Sequence, residues 1–211
     1  MPSYLVRVLL PDRPGALGAV TSRIGAVGGD VVSIDILDHD DGRVVDELGV
    51  RLDGDHLVKL VRDEILEVDG VFIESVRQLE DPLPDRLADL ADAATDLFTQ
   101  TDRGAVLAHL AARARRTVGA TFAAVMDELG GRCVACDGDA PDVGELLALT
   151  APGRTEVAGE EPVVAVAQLV CSAYVLVVGR DDPVLRARER QWISLLADLA
   201  DHCCRLLATA G

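Results

Sequence analysis

Leu9-Leu10-Pro11-Asp12-Arg13-Pro14-Gly15-Ala16-Leu17 joins two kinds of pattern. Before it, Tyr4 to Leu10 is an apolar run broken only by Arg7, and Pro11 stops it. After it, apolar residues recur at helical spacing. Pro14 suits the first helical position, where a missing N–H costs nothing. Asp12, just ahead, is placed to cap or complement the positive helix end. Gly15 and Ala16 carry little side chain, so the N–H groups of Gly15, Ala16 and Leu17 are predicted to be reachable from outside. A strand, a tight turn and a bare helix N-terminus together form a site for a carboxylate or phosphate. An ordinary β–α turn that binds nothing is built from the same parts.

Working outward, Val6, Val8 and Leu10 alternate with Leu5, Arg7 and Leu9, which predicts a central strand with two mainly apolar faces. Leu17, Val20, Ile24 and Val27 form a helical stripe that Gly28-Gly29 ends. A second strand starts at Asp30, with Val32, Ile34 and Ile36 predicted inward and Ser33 and Asp35 outward. Asp38 to Gly42 reads as a polar hairpin turn. The third strand sets Leu48, Val50 and Leu52 against Glu47, Gly49 and Arg51. Leu57, Leu60, Val61 and Ile65 mark a second helix, and Val71 to Leu79 a last strand. The order βαββαβ is the ferredoxin-like arrangement, with both helices on one face of an antiparallel sheet. The other face would carry Arg7, Ser33, Asp35, Glu47 and Arg51, charges that suit water or a polar contact. A dimer is therefore expected along a strand edge or through the helices.

With Asp12-Arg13-Pro14-Gly15-Ala16-Leu17 after the first strand and Gly28-Gly29-Asp30-Val31-Val32-Ser33-Ile34 after the first helix, residues 3–79 resemble an ACT domain. The resemblance implies a small regulatory module that pairs and binds an amino acid between its copies. It implies ligand contacts from Asp12, Arg13, Pro14, Gly15, Ala16 and Leu17, and from Asp30 and Val31 at the start of the second strand. The family often has Asn where this chain has Asp30. A carboxylate there would meet an ammonium group and repel a nearby ligand carboxylate.

Glu80 to Asp85 contains Pro82 and Pro84 and is predicted to be a short, semi-rigid linker between domains 1–79 and 86–211. Beyond it, Leu87, Leu90, Ala91, Ala94, Leu97 and Phe98 form one helical stripe, and Val106, Leu110, Ala114 and Val118 another. Thr121–Met126 and Arg132–Cys136 read as a hairpin around Gly130-Gly131. Asp137 to Glu161, rich in Asp, Gly, Pro and Glu, is expected to be mostly loop. Val163–Leu169 and Ala173–Val178 are two more strands. A long helix follows, with Trp192, Leu195, Leu196, Leu199, Cys203 and Leu206 on one face. This order, with Ala173-Tyr174-Val175-Leu176-Val177-Val178-Gly179-Arg180 before the last helix, resembles a GAF domain. That resemblance implies a sensor or dimerisation module of α/β sandwich type, so the whole chain is expected to be α+β. No motif marks a cyclic nucleotide or a chromophore cysteine, and no second ligand set is carried over.

The net charge of −16 argues against direct binding to nucleic acid or anionic membrane. No run approaches a membrane span or a signal peptide, and five cysteines without a repeating framework suit a reducing cytoplasm. Cys133-Val134-Ala135-Cys136 falls on a predicted strand, where an offset of three points the thiols to opposite faces. Asp38, His39, Asp40 and Asp41 could hold a cation or form a solvated tip. Asp137-Gly138-Asp139 opens like a calcium loop, which Pro141 and the lack of a sixth-position glycine spoil. His56, His109 and His202 have no near neighbours in ligand spacing. No P-loop, Rossmann or G-x-S-x-G fingerprint occurs. The expectation is a cytoplasmic, homodimeric, non-enzymatic regulator without cofactor or metal, binding an amino acid or similar small carboxylate and acting on a protein partner. The alternative is a ligand-free interaction module.

Overall fold

The computed structural model describes residues 1–40, 42–79, 85–150 and 163–209. The chain divides into two compact units, Met1–Pro84 and Asp85–Gly211. Most of the linker expected at 80–85 lies outside the described residues, as does 151–162.

In the first unit the order is β1 (Ser3–Pro11), α1 (Ala16–Ala26), β2 (Asp30–Asp40), β3 (Arg43–Arg51), α2 (Leu57–Leu66) and β4 (Phe72–Leu79). The strands pair antiparallel in the order β2-β3-β1-β4. Val6 and Val8 of β1, Leu48 and Val50 of β3, Val20 and Ile24 of α1 and Val61 and Ile65 of α2 form one buried cluster. The predicted ferredoxin-like topology is the observed one.

The first unit differs from expectation in four places. Pro14 precedes α1 instead of opening it, and Gly15 stands at the helix entry with φ +88°. Ile34 and Ile36 lie opposite Leu48 and Asp46, on the core side as predicted, yet remain 46% and 50% exposed. They sit on the edge strand of the sheet. A register shift between Val31 and Ser33 makes Val31 the residue opposite Val50, while Val32 is exposed. On the other face Arg7 and Glu47 are not solvated. They are 1% and 2% exposed and pair at 2.8 Å, with Glu74 3.6 Å from Arg7. Arg7 and Glu47 are directly opposite across β1 and β3, so the pair is set by strand register.

The second unit runs α3 (Arg86–Thr99), α4 (Arg103–Val118), β5 (Phe122–Asp127), β6 (Arg132–Gly138), α5 (Val143–Thr150), β7 (Val164–Leu169), β8 (Tyr174–Gly179) and α6 (Ala187–Thr209). Its antiparallel sheet has the order β6-β5-β8-β7. Phe122, Ala124, Met126, Val175 and Val177 pack with Leu146 of α5 on one face. Ala123, Val125, Leu176 and Val178 are buried on the other, and α4 packs on β5, β6 and α6. Asp85 and Asp102 cap α3 and α4 through the Ala88 and Ala105 amides.

Here too the stripes rotate. α3 buries Ala93 and Leu97 and exposes Leu87 and Phe98, while α6 buries Trp192, Ile193, Leu196 and Ala200 and exposes Leu195 and Leu206. Part of the stretch expected as loop is helix: Asp142 accepts from the Glu145 amide and starts α5. Its apolar patch, Leu146, Leu147 and Leu149, packs on the sheet.

Candidate functional site

The mouth of α1 is built by backbone conformation. Asp12 donates its amide to the Gly42 carbonyl at 2.8 Å, which joins the loop to the β2–β3 hairpin. Arg13 donates to Pro11 at 2.8 Å and Ala16 to Arg13 at 3.2 Å, so the turn closes on itself. Gly15 then takes a positive φ that L side chains rarely adopt, with open space around its Cα. The helix begins after it without a side-chain cap.

Each predicted residue now has a place. Asp12, Arg13, Pro14 and Gly15 are exposed, and the Arg13 guanidinium lies 3.9 Å from Asp69. Asp12 does not cap α1; its carboxylate lies 4.0 Å from His39. Ala16 is buried with its amide bonded, contrary to expectation, and Leu17 packs partly on the core. The amides of Gly15, Leu17 and Gly18 have no hydrogen-bond partner among the described residues. The reachable set is thus Gly15, Leu17 and Gly18.

Asp30 and Val31 lie elsewhere. Val31 is opposite Val50, whereas the loop follows Pro11, opposite Arg43. Seven positions along β3 separate the two ends, about 24 Å at the usual rise per residue. Within one chain the two parts of the predicted site do not meet.

A residue that no motif marked stands nearer the loop. Asp46 is 2% exposed, and its Oδ1 is buried with no hydrogen-bond partner among the described residues. It shares the core face of β3 with Leu48, and the next residue on that face toward the loop is Val44, opposite Leu10 and His39. Burial pushes the Asp46 carboxyl up from its ordinary range, partly offset by the nearby His39. An acid in register with Val44 and Leu48 within Val44-Val45-Asp46-Glu47-Leu48 was the available signal, since strand alternation puts Asp46 on the apolar side.

A folded pKa raised above the usual value of about 3.9 means full stability below that value and a loss as pH rises through the folded one. Asp46→Asn is therefore expected to stabilise the first unit at pH 7 by about 1 kcal/mol, or about 4–8 °C for a unit of this size. The gain should shrink toward pH 4. Melting curves across pH check it, and an unchanged or lower melting temperature at pH 7 would contradict it.

The cysteine pair is corrected in its geometry. Cys136 lies opposite Ala124 and Cys133 opposite Met126, with a register shift that leaves Val134 extra. Ala124 and Met126 share a face, so both thiols do as well. Burial and Cys133 push the Cys136 thiol up, the opposite of what an attacking thiolate needs. His109 bonds the Ala105 carbonyl, and His202 lies 2.8 Å from Arg205. Asp137 pairs with Arg115. Among the described residues no group of three or more His, Cys, Asp or Glu is placed to hold a metal, and no helix is long and apolar enough to cross a membrane. The carboxylates expected near the hairpin tip include Asp41, which lies outside the described residues.

Residues 4–69 match the model of the ACT domain. The ACT-type unit also resembles the ACT domain from GTP pyrophosphokinase of Chlorobium tepidum, at 20% identity, covering 37% of this chain and 100% of that one, with a TM-score of 0.31. The GAF domain of a candidate sensor histidine kinase from Pseudomonas syringae pv. tomato matches at 17% identity over 59% of this chain and 90% of that one, TM-score 0.41. The chromophore-binding domain of a bacteriophytochrome from R. palustris matches at 12% identity over 99% and 95%, TM-score 0.44. No functional argument rests on these three likenesses. Comparison with curated proteins gives no match. The ACT-domain match over residues 4–69 accords with a regulatory role.

Proposed function

We propose that this chain is a non-enzymatic sensor that pairs with a second copy and binds an amino acid or similar small carboxylate at the mouth of α1. In this reading residues 1–79 are the regulatory domain, 80–85 the linker and 86–211 a GAF-like domain that pairs subunits or senses a second molecule. The observation that carries the reading is the set of unpartnered amides at Gly15, Leu17 and Gly18, with the helix dipole behind them.

Two copies resolve the separation of Asp30 and Val31 from the loop. Strand β2 is at the edge of its sheet and displays Ile34 and Ile36. Antiparallel pairing of two such edges would cover both side chains. It would also set the start of one β2 beside the end of the other, so Asp30 and Val31 of one copy would approach the loop of its partner. Asp30 then meets the ligand's ammonium group and the loop amides its carboxylate. A ligand touching both copies favours one arrangement by the difference in its affinities, and a regulated protein reads that arrangement.

Thermal shift against the twenty amino acids tests the reading. At a hundredfold excess over Kd a ligand adds about 2.7 kcal/mol, a shift of several degrees. Flat traces for all twenty would favour the second reading, in which exposed Ile34, Ile36, Leu87 and Phe98 only pair chains. In that case Gly15→Val leaves every binding assay unchanged.

A further inference from the structure

We propose that Asp46 receives a cationic side chain of the bound ligand, so that the class of ligand is a basic amino acid. The inference rests on the loop reading above. Asp46 is 2% exposed, faces the core side of the sheet and has no hydrogen bond or ion pair among the described residues. A buried carboxylate in that condition costs stability unless something pairs with it. Three connections tie it to the mouth of α1. Asp46 and Val44 follow one another on the same face of β3, and Val44 is opposite Leu10. His39, also opposite Val44, lies 4.0 Å from Asp12 and lowers the Asp46 carboxyl's affinity for protons. Asp12 is fixed by its amide to Gly42, four residues before Asp46.

The spacing selects the ligand. Gly42, which the loop grips through the Asp12 amide, lies four strand residues, about 13 Å, from Asp46, farther than the single carbon between the charges of an α-amino acid can bridge. A carboxylate held at Gly15, Leu17 and Gly18 leaves Asp46 within reach of a side-chain cation only. The flanking residues agree: Ile36 lies opposite Asp46 on the open edge and Val8 opposite it on the closed side, apolar walls for a methylene chain.

Calorimetric titration of the full chain with L-lysine and L-norleucine tests this, because the two differ at the terminal ammonium. Lysine is expected to bind at least tenfold more tightly than norleucine. In Asp46→Asn the preference should fall below threefold. That variant's circular dichroism and melting temperature report its folding, and Asp46→Glu is a second variant expected to keep part of the preference. Equal affinities in the unaltered chain, or a preference that survives Asp46→Asn, would overturn the assignment. If neutral amino acids bind and lysine has no advantage, the loop reading stands and the Asp46 assignment falls. If no amino acid binds, both fall.

Discussion

Replacing Arg180 with methionine is expected to destabilise the second unit by about 3–5 kcal/mol. Arg180 follows β8, is buried, and meets Glu189 of α6 at 2.8 Å. Its remaining N–H groups donate to the carbonyls of Val118, Pro183 and Val184. Val118 ends α4, whose last carbonyls have no partner within the helix. One guanidinium therefore joins the end of α4, the end of β8 and the start of α6. Glu189 is equally buried and accepts the Arg186 amide at 2.9 Å. Methionine removes the ion pair to that carboxylate and the guanidinium's hydrogen bonds to the three carbonyls. The double variant Arg180→Met with Glu189→Gln should recover part of the loss, since the buried charge is gone. Denaturant midpoints measure both, and a single variant as stable as the parent would contradict the account.

Gly138→Ala is expected to cost about 2–5 kcal/mol. Gly138 ends β6 with φ +83°, and a Cβ there would lie 2.2 Å from the Thr121 carbonyl oxygen and 2.8 Å from Arg115 Cδ. Left-handed backbone costs a side chain about 1–2 kcal/mol, and overpacking about 1–3 more. The Thr121 carbonyl cannot move freely, because it also accepts the Asp139 amide. Gly131→Ala is the control: its φ is +58°, but nothing lies near the added carbon, so only the backbone strain applies. Equal destabilisation at the two positions would show that the predicted clash is absent.

Much of this fold was legible because apolar spacing survives in the strands and helices. Val6, Val8 and Leu10, then Val20 and Ile24, then Leu48 and Val50 encode the first core directly, and Val106, Leu110, Ala114 and Val118 do so for α4. What was missed depends on partners in space. Ile34 and Ile36 alternate correctly, yet their burial depends on β2 being an edge. The face of Cys133 depends on one extra residue at Val134, which no alternation rule reveals. Helix α5 is short and set among Asp, Gly and Pro, so its composition read as loop.

The site was legible as a loop and not as a constellation. Pro14 and Gly15 announced a strand-to-helix turn, but Gly15 matters for its positive φ more than for its small size. Asp46 could be judged only once Val44 and Leu48 fixed its face and burial showed it lacked a partner. Asp30 and Val31 sit about 24 Å away by strand rise, a separation that the order of residues alone conceals.

The most direct measurement is a backbone-amide NMR titration of the full chain with an amino acid that raises its melting temperature. The account predicts that the amides of Gly15, Leu17 and Gly18 shift most, with smaller changes at Asp30 and Val31, and that Gly15→Val abolishes them. Saturable shifts confined to other residues, with these five unmoved, would contradict it.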